Sequence, residues 1–387
     1  MIYLDNAAAT RLAPEALEAM LPFFTENYGN PGSIYSMGTA AKRAISDARE
    51  SIAESMGARA DEIYFTSGGT EADNWAIKGA AKALAGRGCH IVTTRIEHPA
   101  VLNTCRALEE SGFEVTYLDV DRYGMVKIQD VQEALRPDTI LISVMFANNE
   151  IGTLEPIAEI GALAGEKGIL FHTDAVQAYG QVPVQVQELG IDLMSVSAHK
   201  LNGPKGVGCL YIKRGSRLRS FVHGGGQERN SRAGTENVPG IVGFAAAAKR
   251  AVRIMEEKTA KETALRDYLT ERLLTEIPGS RLNGHPKLRL PGNVNISFPG
   301  IEGESLLIML DMQGICASSG SACSSGAIDP SHVLLAIGLS EKEARGALRL
   351  TLSEENTKEE LDVAVEKVKE CVFRLQEMRK PGDSFLQ

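Results

Sequence analysis

The sequence contains no long hydrophobic run. Along its 387 residues, no apolar stretch approaches the roughly 20 residues that a membrane-spanning helix needs. The opening residues, MIYLDNAAAT, contain neither the basic stretch nor the apolar core of a secretory signal. We therefore expect a protein that does not bind membranes and that works in the cytoplasm.

Paired cysteines and an excess of positive charge are also missing. The formal net charge of −9 excludes a general nucleic-acid-binding surface and leaves room only for a local basic patch that docks tRNA or a protein. Without a CxxC pair, the cysteines indicate neither a disulfide framework nor a zinc site. Scattered thiols of this kind fit a reducing compartment; they are Cys89, Cys105, Cys209, Cys316, Cys323 and Cys371.

The chain has the length of two domains and an ordinary globular composition, with 43% hydrophobic and 24% charged residues. Between about residues 61 and 212, short apolar runs alternate with amphipathic stretches, such as the helical pattern that begins after Gly69. This alternation predicts an α/β fold with a mostly parallel sheet covered on both faces. The runs that we interpret as strands are EIYFTSG, HIVTT, EVTYLDV, TILISVMFA, ILFHTDA, LMSVSA and GCLYIK.

The pattern changes after a predicted helix that ends near Met255. A long charged amphipathic segment over residues 256–276 leads into NVNISF, a helix, a Ser/Gly/Ala-rich stretch, a second helix, the run ALRLTLS and a charged C-terminal helix. We therefore predict a large domain over residues 15–255. Residues 1–14 and 256–387 would form a smaller α+β domain.

Three motifs follow predicted strands, where ligands of parallel α/β folds bind. The first is SGGTE, in which the backbone at Gly69 and the hydroxyl of Thr70 can approach an anion at the start of a helix. Taken alone, such a short motif is more often an ordinary glycine turn with Thr70 as helix cap.

The second motif is HTDAVQ, which places Asp174 and Gln177 at the end of an apolar strand. A poorly solvated carboxylate there needs a cation, and a protonated pyridine nitrogen is one candidate. A helix-capping Asp explains the same pattern equally well.

The third motif is SVSAHKLNGPKG, in which Ser197, His199 and Lys200 follow another buried strand. A lysine that emerges from a strand end into a cleft loses its charge readily, which suits Schiff-base formation. The alternative is a solvated surface lysine, which the small residues around it disfavour.

Together these motifs resemble the fold type I, aspartate-aminotransferase-like enzymes that use pyridoxal 5′-phosphate (PLP). More narrowly, the sequence resembles the class V branch and its cysteine desulfurases of the NifS/IscS type. The resemblance covers nearly the whole chain, and the motifs that carry it occur in the family's order. They are YLDNAAAT, NPGS, SGGTE, the EH of Glu97 and His98, ANNEIGT, HTDAVQ, SAHK, RAGTEN and SSGSACSSG.

The resemblance implies that Lys200 carries PLP as a Schiff base, that Asp174 pairs with its pyridine nitrogen and that His98 stacks on its ring. It also implies that Thr235 reaches the phosphate from a partner subunit, so that the active enzyme is a homodimer. The full implied set of cofactor-binding residues is Gly69, Thr70, His98, Asn149, Asp174, Gln177, Ser197, His199, Lys200 and Thr235.

The resemblance also implies that Arg349 binds the substrate carboxylate with help from Asn149 and Asn6, since a guanidinium pairs well with a carboxylate. A salt bridge within the small domain is the alternative role of Arg349. The family usually has Ala at the position of Gly69, and we expect this departure to be harmless.

Cys323 distinguishes the reaction from others that use the same cofactor apparatus. It lies in a Ser/Gly/Ala-rich loop, about residues 318–328, whose small residues predict mobility. Its neighbours are too small and polar to form a core, whereas Cys316 beside Ile315 fits a buried position.

The resemblance then implies a catalytic trio of Lys200, His98 and Cys323. Lys200 removes the α-proton of L-cysteine, the Cys323 thiolate takes the sulfur as a persulfide with His98 as acid-base partner, and L-alanine leaves. The implied acceptor is an iron–sulfur scaffold protein or another sulfur acceptor, and on a scaffold Cys323 would contact the nascent cluster transiently.

Two other functions remain open at this point. A class V aminotransferase or a β-lyase that releases sulfide or selenide would not need Cys323. A non-catalytic scaffold for cluster assembly would be expected to have lost Lys200 or Asp174, and both are present.

Overall fold

The computed structural model describes residues 1–319 and 330–378. Numbered in chain order, its strands are β1 Ile2–Tyr3, β2 Ile63–Thr66, β3 His90–Thr94, β4 Glu114–Leu118, β5 Thr139–Ser143, β6 Leu170–Asp174, β7 Leu193–Ser197, β8 Gly208–Ile212, β9 Arg281–Leu282, β10 Asn293–Ser297, β11 Ile315–Cys316 and β12 Ala347–Thr351. The helices are α1 Pro14–Met20, α2 Pro22–Thr25, α3 Ser36–Ser55, α4 Gly69–Leu84, α5 Pro99–Glu109, α6 Ile128–Ala134, α7 Ile157–Lys167, α8 Gln227–Asn230, α9 Val238–Glu276, α10 Gly303–Met312, α11 His332–Ala336, α12 Glu341–Arg345 and α13 Lys358–Met378.

Seven strands form the large sheet in the order β2-β8-β7-β6-β5-β3-β4. Neighbouring strands are parallel except at β8, which runs antiparallel to both β2 and β7. All seven runs that the sequence indicates as strands between residues 61 and 212 are confirmed, and so is a mostly parallel mixed sheet.

Helices cover both faces of this sheet because successive side chains of a strand point to opposite sides. On β3, β5 and β7, the residues Ile91, Leu141 and Leu193 pack with helices α4 and α5. The residue that follows each of them along the strand packs with α3, α7 and the first half of α9 on the other face. The predicted two-sided α/β architecture is therefore confirmed.

A second, smaller sheet has the antiparallel order β12-β10-β9. It shares a separate hydrophobic cluster with α10, α13 and the second half of α9, and Leu4 from the N-terminal segment belongs to that cluster. Strand β1 pairs in parallel with β11. The assignment of residues 1–14 and 256–387 to one domain stays a prediction.

Helix α9 differs from the predicted helix that ends near Met255. It is one continuous helix of 39 residues, Val238–Glu276. No Gly or Pro lies between Met255 and Glu276, and this stretch is rich in Ala, Glu, Lys, Leu and Arg, which are good helix formers. The change in pattern therefore reflects a change in what the helix packs against, and the helix does not end there.

Helix α13 confirms the predicted charged helix near the C-terminus as far as Met378, where the described chain ends. Throughout residues 1–319 and 330–378, every helix is too short or too polar to cross a bilayer.

Candidate active site

Residues that follow strands β2, β6 and β7 meet around one cavity of about 350 Å³. This is the size of a small-molecule site. Besides Asp73, Val176 and a few small or apolar residues, the cavity is lined by nine residues that the resemblance assigns to the cofactor: Gly69, Thr70, His98, Asn149, Asp174, Gln177, Ser197, His199 and Lys200.

Lys200 lies in a short 3-10 turn directly after β7. Its Nζ donates to the backbone oxygen of Ala8 at 2.8 Å and also to that of Ala7. Gln177 Nε2 donates to the same Ala7 oxygen at 3.0 Å. The N-terminal segment therefore closes one side of the cavity, and the side chain of Lys200 points into it rather than into solvent.

Asp174 is the last residue of β6 and is buried. Its Oδ1 accepts a hydrogen bond from the backbone N–H of Val176 at 2.9 Å within a turn, and no helix follows that it could cap. Burial raises the pKa of Asp174, whereas the nearby His98 and Lys200 lower it. The carboxylate is therefore poorly solvated and is placed to hold a cationic partner.

His98 caps helix α5 and also faces the cavity. Its Nδ1 accepts the backbone N–H of Ala100 at 3.1 Å, so the neutral ring carries its proton on Nε2. The same side chain therefore caps the helix and lines the cavity.

The start of helix α4 forms the other end of the cavity. Here an adjoining space of about 310 Å³ is lined by residues 67–71, Ser197, His199 and Lys205. Burial, together with Lys200 and Lys205, lowers the pKa of His199 to about 4, and its Nδ1 lies 3.0 Å from Ser197 Oγ. Unpaired N–H groups at a helix start, beside hydroxyl and imidazole groups, form a suitable site for a phosphate.

A side chain at Gly69 would require a neighbouring residue to shift. A Cβ at this position would lie 2.6 Å from Cγ2 of Val176, which is inside van der Waals contact. Val176 occupies the space that a methyl group would need, and the expectation that Gly in place of the family's Ala is harmless stays a prediction.

The predicted substrate-binding residues lie beside the cavity. Arg349 is 1% exposed, and its guanidinium donates to the backbone oxygen of Asn149 at 2.9 Å and to Asp5 Oδ1 at 3.0 Å. Its Nε has no hydrogen-bond partner among the described residues. Asn6 donates from Nδ2 to the Thr351 oxygen at 2.8 Å and lines a smaller pocket that also includes Lys200.

Thr235 does not line the cavity of its own chain. It borders a separate pocket with Thr66, Ser67 and Arg232. Arg232 makes a bidentate ion pair with Glu71 at 2.7 and 3.0 Å, which ties this segment to the start of α4.

Cys323 lies outside the described residues, and so does its predicted contact with an iron–sulfur cluster. The described residues on either side of that gap are held near the site. Ser318 exchanges two backbone hydrogen bonds with Arg349, at 2.7 and 3.1 Å, and Ser331 Oγ donates to Glu150.

Sequence reasoning missed three residues that shape the site. Asp5 pairs with Arg349, Glu71 pairs with Arg232, and Asp73 lines the cavity within 4.8 Å of His98 and Asp174. Only Asp73 leaves a signal in the sequence, because it interrupts the apolar face of α4. The two ion pairs join segments far apart in the chain.

The sequence profile described as "Aminotransferase class-V" matches residues 2–363. The chain belongs to the class V aminotransferase family. Its strand-end lysine and aspartate occupy a site of the kind that the resemblance implies for this family.

Among class V proteins, the chain is 55% identical over 377 residues to cysteine desulfurase IscS of Methanosarcina thermophila, covering 97% of this chain and 93% of the relative. A solved NifS-like protein superposes with a TM-score of 0.91 at 40% identity, covering 97% of this chain and 100% of the other. The structure of SspA in complex with cysteine matches with a TM-score of 0.81 at 38% identity, covering 92% and 100%. The predicted fold type I class and the resemblance to NifS/IscS-type proteins are confirmed.

Proposed function

We propose that this class V chain is a PLP-dependent cysteine desulfurase that converts L-cysteine to L-alanine and holds the sulfur as a persulfide on Cys323. One observation carries the proposal. Lys200, Asp174 and His98 converge on one cavity in a chain that is 55% identical to a cysteine desulfurase.

The cavity fits PLP in size, charge and polarity. Asp174 is buried at one end, and no cation of the described residues is in hydrogen-bond contact with it, which suits a protonated pyridine nitrogen. The start of α4 with Thr70, Ser197 and His199 suits the phosphate at the other end. When bound, PLP supplies an electron sink for the bond that breaks at the substrate α-carbon.

The residues of the chain would divide the remaining work. Asp174 would keep the pyridine nitrogen protonated because its negative charge stabilises that cation. Lys200 would hold the cofactor and, in its free amine form, would accept the α-proton. His98 Nε2 carries a proton that it can donate toward the departing sulfur.

Arg349 would hold the substrate carboxylate, and support comes from its Nε, which has no partner among the described residues while Asp5 and Asn149 hold the rest of the guanidinium. Cys323 would attack the substrate sulfur as a thiolate, so that the carbon–sulfur bond breaks and the new sulfur–sulfur bond forms on the enzyme. Support for its access to the cavity comes from Ser318, which pairs with Arg349 just before the segment that contains Cys323.

Persulfide formation is the test of this function. After incubation with L-cysteine, mass spectrometry should find one added sulfur on the peptide that contains Cys323, together with alanine in solution. Cys323→Ala should abolish the adduct and most alanine formation, while keeping the visible absorbance of bound cofactor. Release of sulfide with pyruvate in place of alanine would instead indicate a β-lyase, and full alanine production by Cys323→Ala would show that a thiol other than Cys323 accepts the sulfur. A wild-type protein that never acquires the absorbance would contradict the cofactor assignment.

We also propose that the enzyme is a homodimer in which Thr235 completes the phosphate site of the partner subunit. Two observations support this. Thr235 stands outside the cavity of its own chain, and large apolar side chains on the N-terminal helices and the loop after them are exposed. They are Leu17, Leu21, Phe24, Tyr28 and Ile34.

Subunit mixing tests this arrangement. Lys200→Ala and Thr235→Ala proteins are each expected to be poorly active at limiting PLP. A mixed dimer contains one intact site only if Thr235 acts across the interface, so mixing should restore activity. If mixing restores nothing although mixed dimers form, Thr235 acts within its own subunit or not at all.

We further propose that the enzyme works in the cytoplasm and passes its sulfur to an iron–sulfur scaffold protein or another acceptor, with Cys323 in transient contact with a nascent cluster. Support comes from the IscS relative and from the five described cysteines, which are free thiols of the kind that a reducing compartment preserves. Transfer of ³⁵S from the loaded enzyme to a purified scaffold protein, and its loss in Cys323→Ala, is the measurement that checks this.

A further inference from the structure

Asp73 is a carboxyl group of the cavity to which none of the proposed steps assigns a role. It lies in the second turn of helix α4, is 1% exposed and lines the cofactor cavity. Its Oδ1 has no hydrogen-bond partner among the described residues. A buried polar atom in this condition is costly unless a ligand, a water or a proton completes it.

The carboxyl group of Asp174 lies close to that of Asp73. Asp73, Asp174 and His98 place one ligand atom each within 4.8 Å of one another. Lys200 and His98 lower the pKa of Asp174, and neither is a cause of the pKa shift of Asp73. Lys200 therefore favours the ionised form of Asp174, whereas no positively charged group of the described residues is a cause of the pKa shift of Asp73.

The other polar neighbours of Asp73 supply no positive charge. His172 Nε2 lies 3.7 Å from Asp73 Oδ1, but burial lowers the pKa of His172 to about 3. Its two ring nitrogens are also engaged by the hydroxyls of Ser143 and Ser195. Glu97 is a further buried carboxyl group and is close enough to raise the pKa of Asp73.

Two carboxylates this close in a buried site cannot both ionise readily. Burial raises the pKa of Asp73 well above its usual range, and Asp174 and Glu97 add to the rise, while Ser195 opposes it. Because Asp174 must be the anion that faces the pyridine nitrogen, the proton falls to Asp73.

We propose that Asp73 is a positioning residue, a neutral carboxylic acid whose proton is donated directly or through one water to Asp174. The inference rests on the proposed function, since it gives Asp174 its role. Asp73 would fix the orientation of the Asp174 carboxylate under the cofactor and satisfy one of its lone pairs, so that the pyridine nitrogen receives the other.

The first test compares Asp73→Asn with Asp73→Leu in the PLP-loaded enzyme. Asn is also neutral and can donate, so PLP retention on dialysis and the pH midpoint of the cofactor's visible absorbance should match wild type within about 0.3 pH unit. Leu is similar in size but cannot donate, so PLP retention should fall by about tenfold or more. Asp174→Asn is the control that loses PLP through the contact itself.

An ionised Asp73 would shift the pH midpoint of the cofactor's absorbance in a known direction. If Asp73 were ionised in the wild type, Asp73→Asn would remove a negative charge beside the protonated, Lys200-linked cofactor. The pH midpoint would then fall by about one unit, and the proposal would be overturned. Equal PLP retention in a folded Asp73→Leu protein would overturn it as well.

A second measurement does not depend on cofactor binding. An infrared difference spectrum of apoprotein, wild type minus Asp73→Asn at neutral pH, should contain the carbonyl band of a protonated carboxylic acid. A carboxylate band in its place overturns the inference. A wild-type protein that binds no PLP would sink the proposed function, while this spectrum would still decide the protonation state of Asp73.

Discussion

Arg349 combines two features that rarely occur together, full burial and an Nε without a partner among the described residues. Asp5 and the Asn149 backbone hold two of its nitrogen atoms, so the guanidinium is fixed before any substrate arrives. The salt bridge that the sequence left as an alternative role is therefore present, and it serves to orient the group. Prior orientation of this kind reduces the entropy that binding must overcome.

Arg349→Lys should raise the KM for L-cysteine by about tenfold or more, with a smaller change in kcat, because an ammonium cannot reproduce the planar fork. Steady-state alanine formation measures both constants. Arg289→Lys is a matched control, since Arg289 is buried and bonded to backbone oxygens such as that of Ile151. Arg289→Lys should lower Tm without changing KM. An unchanged KM in Arg349→Lys would show that Arg349 does not bind the substrate.

Glu155 is a second residue whose protonation state can be measured, through the dependence of protein stability on pH. Burial raises its pKa to about 8, and one of its oxygens has no hydrogen-bond partner in the described residues. Between about pH 4.5 and pH 8, the folded protein therefore binds a proton that the unfolded chain releases. Stability contributed by this group is complete below the lower limit and is lost as the pH rises.

Glu155→Gln should therefore flatten the fall of stability with pH. Between pH 5.5 and pH 7.5, the stability of the variant relative to wild type should rise by about 2–3 kcal/mol, since one proton corresponds to about 1.4 kcal/mol per pH unit. Tm values of the two apoproteins, measured across this pH range, check the predicted change in relative stability. A pH-independent effect of the substitution would shift all Tm values of the variant equally and would not alter this change. Parallel pH profiles would show that Glu155 is ionised in the folded state.

At the scale of elements, the start of helix α4 would determine how closely the backbone approaches the phosphate of the proposed cofactor. Gly69→Ala should weaken PLP binding by about tenfold, because the new methyl group would displace Val176 from the cavity wall. Gly69→Ala combined with Val176→Ala should recover most of the affinity, measured by fluorescence titration with PLP.

Gly165→Ala is the matched control for that substitution. Gly165 lies inside helix α7, and a Cβ there would meet nothing within 4 Å. Its replacement should leave PLP affinity unchanged and hold or raise Tm. Equal affinities for wild type and Gly69→Ala would mean that Val176 moves aside without cost.

Elements with a strong periodic pattern were predictable from the sequence, and their mutual arrangement was only partly so. The seven strands of the large sheet and helix α4 follow from alternating and 3.6-residue patterns. The reversed direction of β8 is explained by its short connection to β7, which cannot contain a crossover helix. Strands β1, β9 and β11 have two residues each and leave no periodic signal.

The contacts between individual residues of the site were also only partly predictable from the sequence. Motifs at strand ends identify Lys200 and Asp174, because parallel strands bring their carboxyl ends together. No pattern in the sequence shows that Asp5 meets Arg349 or that the Ala7 oxygen meets Lys200, since those contacts depend on how distant segments pack. Asp73 was detectable as a charge on an apolar helix face.

For the whole molecule, the cofactor should act as a stabilising ligand. Free PLP at about 1,000 times its dissociation constant would add about 4 kcal/mol to the stability of the folded state. We expect the holoenzyme to melt several degrees above the apoenzyme and Lys200→Ala to narrow that gap. Equal Tm values with and without PLP, measured at one protein concentration, would contradict a cofactor bound in the interior.

The backbone bonds between Ser318 and Arg349 have a consequence beyond geometry. Under the proposed function, they connect the backbone just before the sulfur-carrying segment to the residue that binds the substrate carboxylate, so that a shift of one would be transmitted to the other. If an acceptor protein that binds the carrier segment changes the affinity for L-cysteine, thermodynamic reciprocity requires L-cysteine to change the affinity for the acceptor by the same factor. Sulfur delivery and substrate binding would then be coupled.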